Sequence, residues 1–331
     1  MKVAVIGAGS WGTALAQVVA KNNNEVFLWA RKDEVVRGIN ENHANPRYLS
    51  DVTLSKNITA TKSHEEALSG AQACVIVMPS STLRETAQAI APFISDILPI
   101  IICSKGVEAK TGMVGVEIFE DVLGNASRLA ALSGPNHAEE VILGTPSATV
   151  IASANEQTTQ LFQELFATFS FRTYASTDVL GVELCAAFKN VIAIATGCAY
   201  GLGYGDNTAA MLQTRGLAEM SRLVTACGGQ ALTCMGLAGT GDMIVTCMSR
   251  HSRNRRLGEM IAQGKTLDDF TAETHMVAEG AVACKTLGEL AAKVGVELPI
   301  TDIVRRVVWE DFDPRLVSDR LLDRPLKPEF Y

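Results

Sequence analysis

Lys189 sits in the run ELCAAFKNVIAIATG, residues 183–197, and its neighbours three and four positions away, Cys185, Ala186, Ile192 and Ala193, are all apolar. A helix that is hydrophobic nearly all round is buried, and a buried ammonium is costly unless it is paired or gives up its proton. An amine held in that state can pass a proton to a reacting oxygen or take one from it. The competing reading is a lysine that snorkels from a helix edge to water, and the unbroken apolar flanks weigh against it. A second signature stands near the start of the chain. Gly7-Ala8-Gly9-Ser10-Trp11-Gly12 follows a strand-like run and opens a helical pattern. In that setting the first glycine permits the tight turn, the second lets a pyrophosphate approach the backbone, and the third lets helix and strand pack closely. The free N–H groups at the helix start then face the phosphates.

Four further segments carry groups suited to an anionic substrate. Lys105 follows the strand-like run 99–103, and ligands of open α/β sheets bind at the carboxyl ends of strands. Gly134, Asn136, His137 and Ala138 follow another such run, before a helical pattern. Gly239-Thr240-Gly241-Asp242 reads as a Gly-rich loop delivering one carboxylate. His251-Ser252-Arg253-Asn254-Arg255-Arg256 is a compact basic cluster in a chain of net charge −7. Ser252, Arg253 and Asn254 suit a phosphate, with the helix N-terminus helping. Taken singly, each has a bland reading: Lys105 a surface lysine, Asp242 a turn or cap, His137 a space-filler, the arginines a solvated helix face. Their convergence points to a phosphate ester that exchanges hydride with a dinucleotide, while Lys189 handles the proton on the substrate oxygen. A carboxylate such as Asp242 would oppose burial in setting the lysine's pKa. After the run 25–29 come Ala30, Arg31 and Lys32, and the first acid is Asp33. NAD-specific folds place an acid there for the ribose 2′-hydroxyl, whereas a guanidinium suits a 2′-phosphate. NADP(H) is therefore expected to be accepted; the alternative is that Arg31 and Lys32 form a solvated turn.

The elements that must position these groups change character along the chain. Strand-like runs at 2–6, 25–29, 73–78, 99–103, 129–133, 148–152 and 171–174 alternate with helical patterns at 11–22, 81–94, 114–123 and 156–168. That alternation predicts an α/β domain with a mostly parallel sheet over residues 1–178. Helical patterns then take over at 179–198, 207–227, 253–263, 277–294 and 301–309, with Gly-rich links at 201–206 and 236–241. They predict an all-α domain over 179–331 that begins with the helix carrying Lys189. Pro314, Pro325 and Pro328 suggest an irregular tail.

With 47% hydrophobic and 20% charged residues the chain is globular rather than disordered, and 331 residues exceed what one core usually serves. The acidic balance argues against general binding to nucleic acid or an anionic membrane. None of the 8 cysteines forms C-x-x-C, and several fall in apolar runs, as in a reduced cytosolic protein. The 5 histidines show no metal-ligand spacing, so no metal is expected. No signal peptide is evident, and no apolar run approaches the ~20 residues of a membrane span. The expected compartment is the cytoplasm.

The motifs GAGSWGTALA, NPRYL, CSKGVE, LSGPNHAEE, AAFKNVIAIATG, TRGLAEMSRL, GLAGTGDMIVTC, SRNRRLG and VAEG span nearly the whole length. In this order and combination the chain resembles the bacterial NAD(P)-dependent glycerol-3-phosphate dehydrogenases. The resemblance implies a Rossmann-type N-terminal domain joined to an all-α substrate domain. It implies reversible reduction of dihydroxyacetone phosphate to sn-glycerol 3-phosphate for phospholipid synthesis, with NADP(H) or NAD(H) as cofactor. It further implies Lys189 as proton acceptor in oxidation and donor in reduction, and Lys105 in touch with both cofactor and substrate. Gly134 and Asn136 then belong to the substrate loop, and Ala138 to the cofactor's contacts. Asp242, Ser252, Arg253 and Asn254 become substrate contacts, with Arg253 also near the cofactor. Ser10, Trp11, Arg31 and Tyr48 join Gly7, Gly9 and Gly12 in the nucleotide set, with Val277 and Glu279 as late cofactor contacts. The chemistry of the residues alone singles out neither Tyr48, Val277 nor Glu279. The family usually carries Ser or Thr at the position of Asn136 and varies at Arg31. A homodimer is the family-level expectation. Two rivals stand beside this reading: a hydroxy-acid dehydrogenase of the same architecture, which the cluster 252–256 argues against, and a non-catalytic NADPH-binding sensor, which would be indifferent to loss of Lys189.

Overall fold

The computed structural model describes residues 1–274, 278–316 and 329. The strands β1 (Lys2–Ile6), β2 (Glu25–Trp29), β3 (Ile58–Thr61), β4 (Ala73–Ile76), β5 (Ile100–Ile102), β6 (Leu129–Ser133), β7 (Ser147–Ala152) and β8 (Phe171–Ser176) form one sheet in the order β3-β2-β1-β4-β5-β6-β7-β8. Every neighbouring pair is parallel except β6 with β7. The central strands are nearly pure Val, Ile and Ala because both faces are covered. Val3 and Val5 pack into one apolar cluster and Ala4 and Ile6 into another. The covering helices are α1 (Ser10–Lys21), α2 (Asp33–Asn42), α3 (His64–Leu68), α4 (Leu83–Ile90), α5 (Gly115–Leu123), α6 (Ala138–Leu143) and α7 (Glu156–Phe166). The mostly parallel α/β reading therefore holds. The helical pattern expected after 133–138 is α6, whereas α2, α3 and the strand β3 have no counterpart in the expectations from sequence; β3 is the four-residue ITAT, too short to show alternation.

The helical part comprises α8 (Val179–Gly201), α9 (Asp206–Ala226), α10 (Ala231–Cys234), α11 (Asp242–Met248), α12 (Arg253–Ala262), α13 (Leu267–Thr274), α14 (Glu279–Val294) and α15 (Pro299–Trp309). α8 is its axis: α9, α11, α12 and α14 all pack on it, and it also touches β6. Where α8 crosses α12 the backbones meet. A Cβ on Gly197 would stand 2.0 Å from the Arg255 carbonyl oxygen, and one on Gly258 would stand 2.1 Å from that of Ile194. The expectation that no apolar stretch approaches membrane-span length needs correcting. α8 has 23 residues and a mean hydropathy of 1.6, long and apolar enough to span, but 83% of that window is buried inside the protein. Its apolar face all round is answered by the helices that surround it. A second such stretch, Ala231–Met248, is broken into α10, a π-helical turn at Leu237–Gly241 and α11.

Two buried carboxyls fix the start of α8. Asp178 caps it, accepting the Gly181 N–H at 2.9 Å, and also accepts the Gln230 N–H at 2.9 Å. Glu183 accepts the Val116 N–H at 3.1 Å, tying α8 to the N-terminus of α5. Burial pushes the Glu183 carboxyl up to about 8 from the ordinary 4.5. Between those values the native protein holds a proton that the unfolded chain has released, so stability falls as pH rises across that window. Glu183→Gln retains an acceptor for Val116 without the charge. Its melting temperature is expected to exceed that of the wild type by several degrees at about pH 9 and to converge with it near pH 5. A pH-independent offset in thermal unfolding would refute this role.

Candidate active site

The site is assembled where α8 and α11 meet the carboxyl ends of β5 and β6. Lys189 Nζ donates to Asp242 Oδ1 and, at 2.8 Å, to Thr246 Oγ1. Asp242 and Thr246 lie four residues apart in α11, on one helix face. Asp242 is thus the first residue of a helix entered through the π turn, not part of an open Gly-rich loop as its sequence suggests. Its second oxygen accepts from Lys105 Nζ at 2.7 Å. Ser133 Oγ, at the end of β6, stands 3.4 Å from the same oxygen. Lys105 also reaches the Gly134 carbonyl at 3.5 Å. Lys105, Gly134, Asp242 and Lys189, singled out in four separate segments, therefore converge.

Asp242 is 1% exposed and Lys189 6%. Burial pushes the Lys189 amine down to about 7, Asp242 acting against the fall and Lys105 with it. Burial alone would raise the Asp242 carboxyl, but the Lys105 and Lys189 ammoniums outweigh it and hold it below its ordinary value. Because Lys105 shares the carboxylate, Asp242 keeps a counter-charge whether Lys189 is charged or neutral. An amine balanced near neutrality is suited to move a proton in either direction.

The glycine turn has the geometry a dinucleotide needs. Gly7 adopts φ +120°, and a Cβ there would stand 2.3 Å from the Val77 carbonyl oxygen. A Cβ on Gly12 would stand 1.8 Å from the Gly7 oxygen, whereas the space beside Gly9 is open to 4 Å. Ser10 opens α1, whose N-cap Gly9 offers no side-chain cap, so its N–H groups remain available. Trp11 presents a buried indole N–H without a protein partner. Asn45, the first residue of the motif NPRYL but given no role by the sequence, holds this turn: its amide donates to the Ala8 carbonyl at 3.1 Å and its oxygen accepts the Tyr48 N–H at 3.2 Å. Arg31 is exposed just beyond β2, and Asp33 is paired with Lys62 at 2.9 Å. These residues fit the expected cofactor. Ala138 opens α6, beside Asn136, whose amide nitrogen donates to the Ala148 carbonyl at 2.9 Å.

Residues 2–159 match the N-terminal model, and residues 178–319 the C-terminal model, of NAD-dependent glycerol-3-phosphate dehydrogenase. A glycerol-3-phosphate dehydrogenase [NAD(P)+] of Corynebacterium urealyticum is 46% identical over 99% of this chain and all of the relative. The chain belongs to the NAD-dependent glycerol-3-phosphate dehydrogenase family. A Chlorobium phaeobacteroides relative of the same description is 44% identical over the full length of both chains. The crystal structure of glycerol-3-phosphate dehydrogenase from Coxiella burnetii superposes with a TM-score of 0.93 at 37% identity, covering 97% of this chain and 98% of the other.

Within this dehydrogenase-family frame the basic cluster divides. Ser252 is buried and caps α12, accepting the Arg255 N–H at 3.2 Å, and Arg253 follows it, exposed. Arg255 instead pairs with Glu259 at 2.8 Å and stacks over Tyr200, so it serves the helix surface. Asn254 is buried with both ends of its amide engaged. It donates to Asn190 Oδ1 and accepts the Gly280 N–H, each at 2.9 Å, bracing α12 against α8 and the start of α14. Glu279 accepts from Ser80 Oγ at 2.6 Å, joining α14 to the loop after β4. Burial raises its carboxyl above the ordinary value. Val277 lies outside the described residues. Thr246 and Asn190 escaped sequence reasoning. The i, i+4 spacing would have flagged Thr246 had α11 been recognised as a helix; Asn190 gives no signal beyond adjacency to Lys189.

Proposed function

We infer that this protein catalyses the reversible NAD(P)-dependent interconversion of dihydroxyacetone phosphate and sn-glycerol 3-phosphate, the step that provides glycerol phosphate for phospholipid synthesis. The observation that carries this reading is the buried Lys189–Asp242–Lys105 array at the strand ends, in a chain of this family. When bound, the nicotinamide cofactor supplies the hydride in reduction and takes it in oxidation. Lys189 donates a proton to the substrate's C2 oxygen in reduction and removes it in oxidation. Asp242 and Thr246 orient the amine, and Lys105 keeps the carboxylate ionised. Ser252 and Arg253, at the start of α12, hold the substrate phosphate. Gly134 and Asn136 border the substrate, while Asn254 acts by bracing the phosphate end rather than by reaching it. Gly7, Gly9, Ser10, Trp11, Gly12, Arg31, Tyr48, Lys105, Ala138, Arg253 and Glu279 would hold the cofactor.

The division into a cofactor domain at 1–178 and a substrate domain at 179–331 is supported by the end of β8 at Ser176 and the start of α8 at Val179. A cytoplasmic setting is supported by 8 free thiols. The direct test follows NADPH absorbance with dihydroxyacetone phosphate beside unphosphorylated dihydroxyacetone. Strong preference for the phosphate ester is expected, and equal rates overturn the reading. Engagement of Asp33 by Lys62 favours a 2′-phosphate beside Arg31. Arg31→Ala is therefore expected to weaken NADPH, but not NADH, by about tenfold in KM; an unchanged ratio of the two refutes that contact.

A further inference from the structure

Three buried polar atoms around the cleft have no protein partner: Trp11 Nε1, Asn136 Oδ1 and His137 Nε2. Buried polar atoms are normally hydrogen-bonded, so one left open beside a cleft calls for a ligand. Trp11 and Asn136 already have roles in the reading above; His137 has none. It immediately precedes α6 and leans on the helical part of the molecule. Its ring lies 6.2 Å, centroid to centroid, from that of His251, next to Ser252. Its ring stands against the Val245 backbone of α11. The charged groups facing it are Lys189 on α8, Asp242 on α11 and Glu139 on α6. His137 therefore stands between the proton-transfer pair and the phosphate end.

The three-carbon substrate offers three polar features: the C2 oxygen, the phosphate and a free terminal hydroxyl. Lys189 serves the first, Ser252 and Arg253 the second. The reading above assigns no side-chain atom to the third. We propose that His137 is the specificity-determining residue for that hydroxyl, its buried Nε2 accepting the hydroxyl's hydrogen bond. This rests on the substrate reading above. Burial first, then the Lys189 ammonium, hold the imidazole below its ordinary pKa of 6.5 against the pull of Glu139, Val245 and Asp242. The ring is thus neutral at physiological pH. A neutral imidazole carries one N–H and one lone pair, and the assignment places the lone pair on the unpartnered Nε2. A lone pair is complementary to a hydroxyl and repels a phosphate dianion.

The test compares kcat/KM for dihydroxyacetone phosphate with that for hydroxyacetone phosphate, which lacks only the hydroxyl, in the wild type, His137→Phe and His137→Gln. The wild type is expected to prefer dihydroxyacetone phosphate by roughly tenfold or more. His137→Phe preserves a ring and removes the acceptor, so the preference falls to near unity. His137→Gln returns an acceptor and recovers most of it. Equal losses on both substrates in His137→Phe, leaving the ratio intact, overturn the assignment while the reaction itself stands. A wild-type protein inactive on dihydroxyacetone phosphate removes both.

Discussion

Lys189→Met is expected to lower kcat for dihydroxyacetone phosphate reduction by ~10²–10⁴-fold, the usual contribution of a positioned acid or base. Methionine fills similar volume in the apolar flanks of α8, and Asp242 keeps Lys105 as a counter-charge, so folding should survive. The glycine turn is untouched, and NADPH affinity should change by no more than about threefold. This combination separates a catalyst from a cofactor-binding sensor, in which losing the amine would leave the sensed signal intact. Stopped-flow turnover and NADPH fluorescence titration, done on one preparation, read both quantities. A variant that loses cofactor binding in proportion to turnover would assign Lys189 a structural role.

Asp242→Asn should have the second largest effect, with a distinctive pH signature. The substitution leaves two ammoniums together in a buried site without the carboxylate that offsets burial. Lys189 then loses its proton more readily, because both desolvation and a like charge disfavour the charged amine. Reduction requires the protonated amine, so reductive kcat near pH 7.5 should fall by at least about tenfold. The pH at which reductive kcat is half-maximal should move acid-ward, and lowering the pH should restore part of the loss. A fall that is uniform across pH would mean that Asp242 orients Lys189 without setting its protonation.

How far the site was legible in the sequence follows from the range over which each signal acts. Lys189 stood out because its conflict with the apolar residues of its own helix is local. The glycine turn stood out because strand, turn and helix lie within one short stretch. Asp242 was visible only as a carboxylate beside glycines. The π turn that swings it into α11, and so brings Thr246 onto its face, depends on packing against α8, which no local pattern records. Arg253 and Asn254 read alike from the sequence, both as phosphate contacts, and Arg255 only as part of the same basic cluster. Only the fold assigns Asn254 to Asn190 and Gly280, and Arg255 to Glu259 and Tyr200. Glu279 is tied to Ser80 across 199 positions, and such a link is invisible without tertiary structure. In the fold itself, long apolar strands and helices are legible, as is the pattern that becomes α6, while β3 and the short or polar helices α2, α3, α10, α11 and α13 are not. α8 escaped classification as a possible span because Glu183 and Lys189 interrupt it, although tertiary burial rather than those charges is what places it in the core.

The most direct test of the account is the pH dependence of kcat in both directions, in wild type and in Lys189→Met. A buried amine pushed down to about 7 should make reductive kcat fall, and oxidative kcat rise, as pH increases through that region, since the donor must be charged and the acceptor neutral. Both limbs should be gone in the residual activity of Lys189→Met. Limbs that persist in that variant at the same midpoint would show that another group moves the proton.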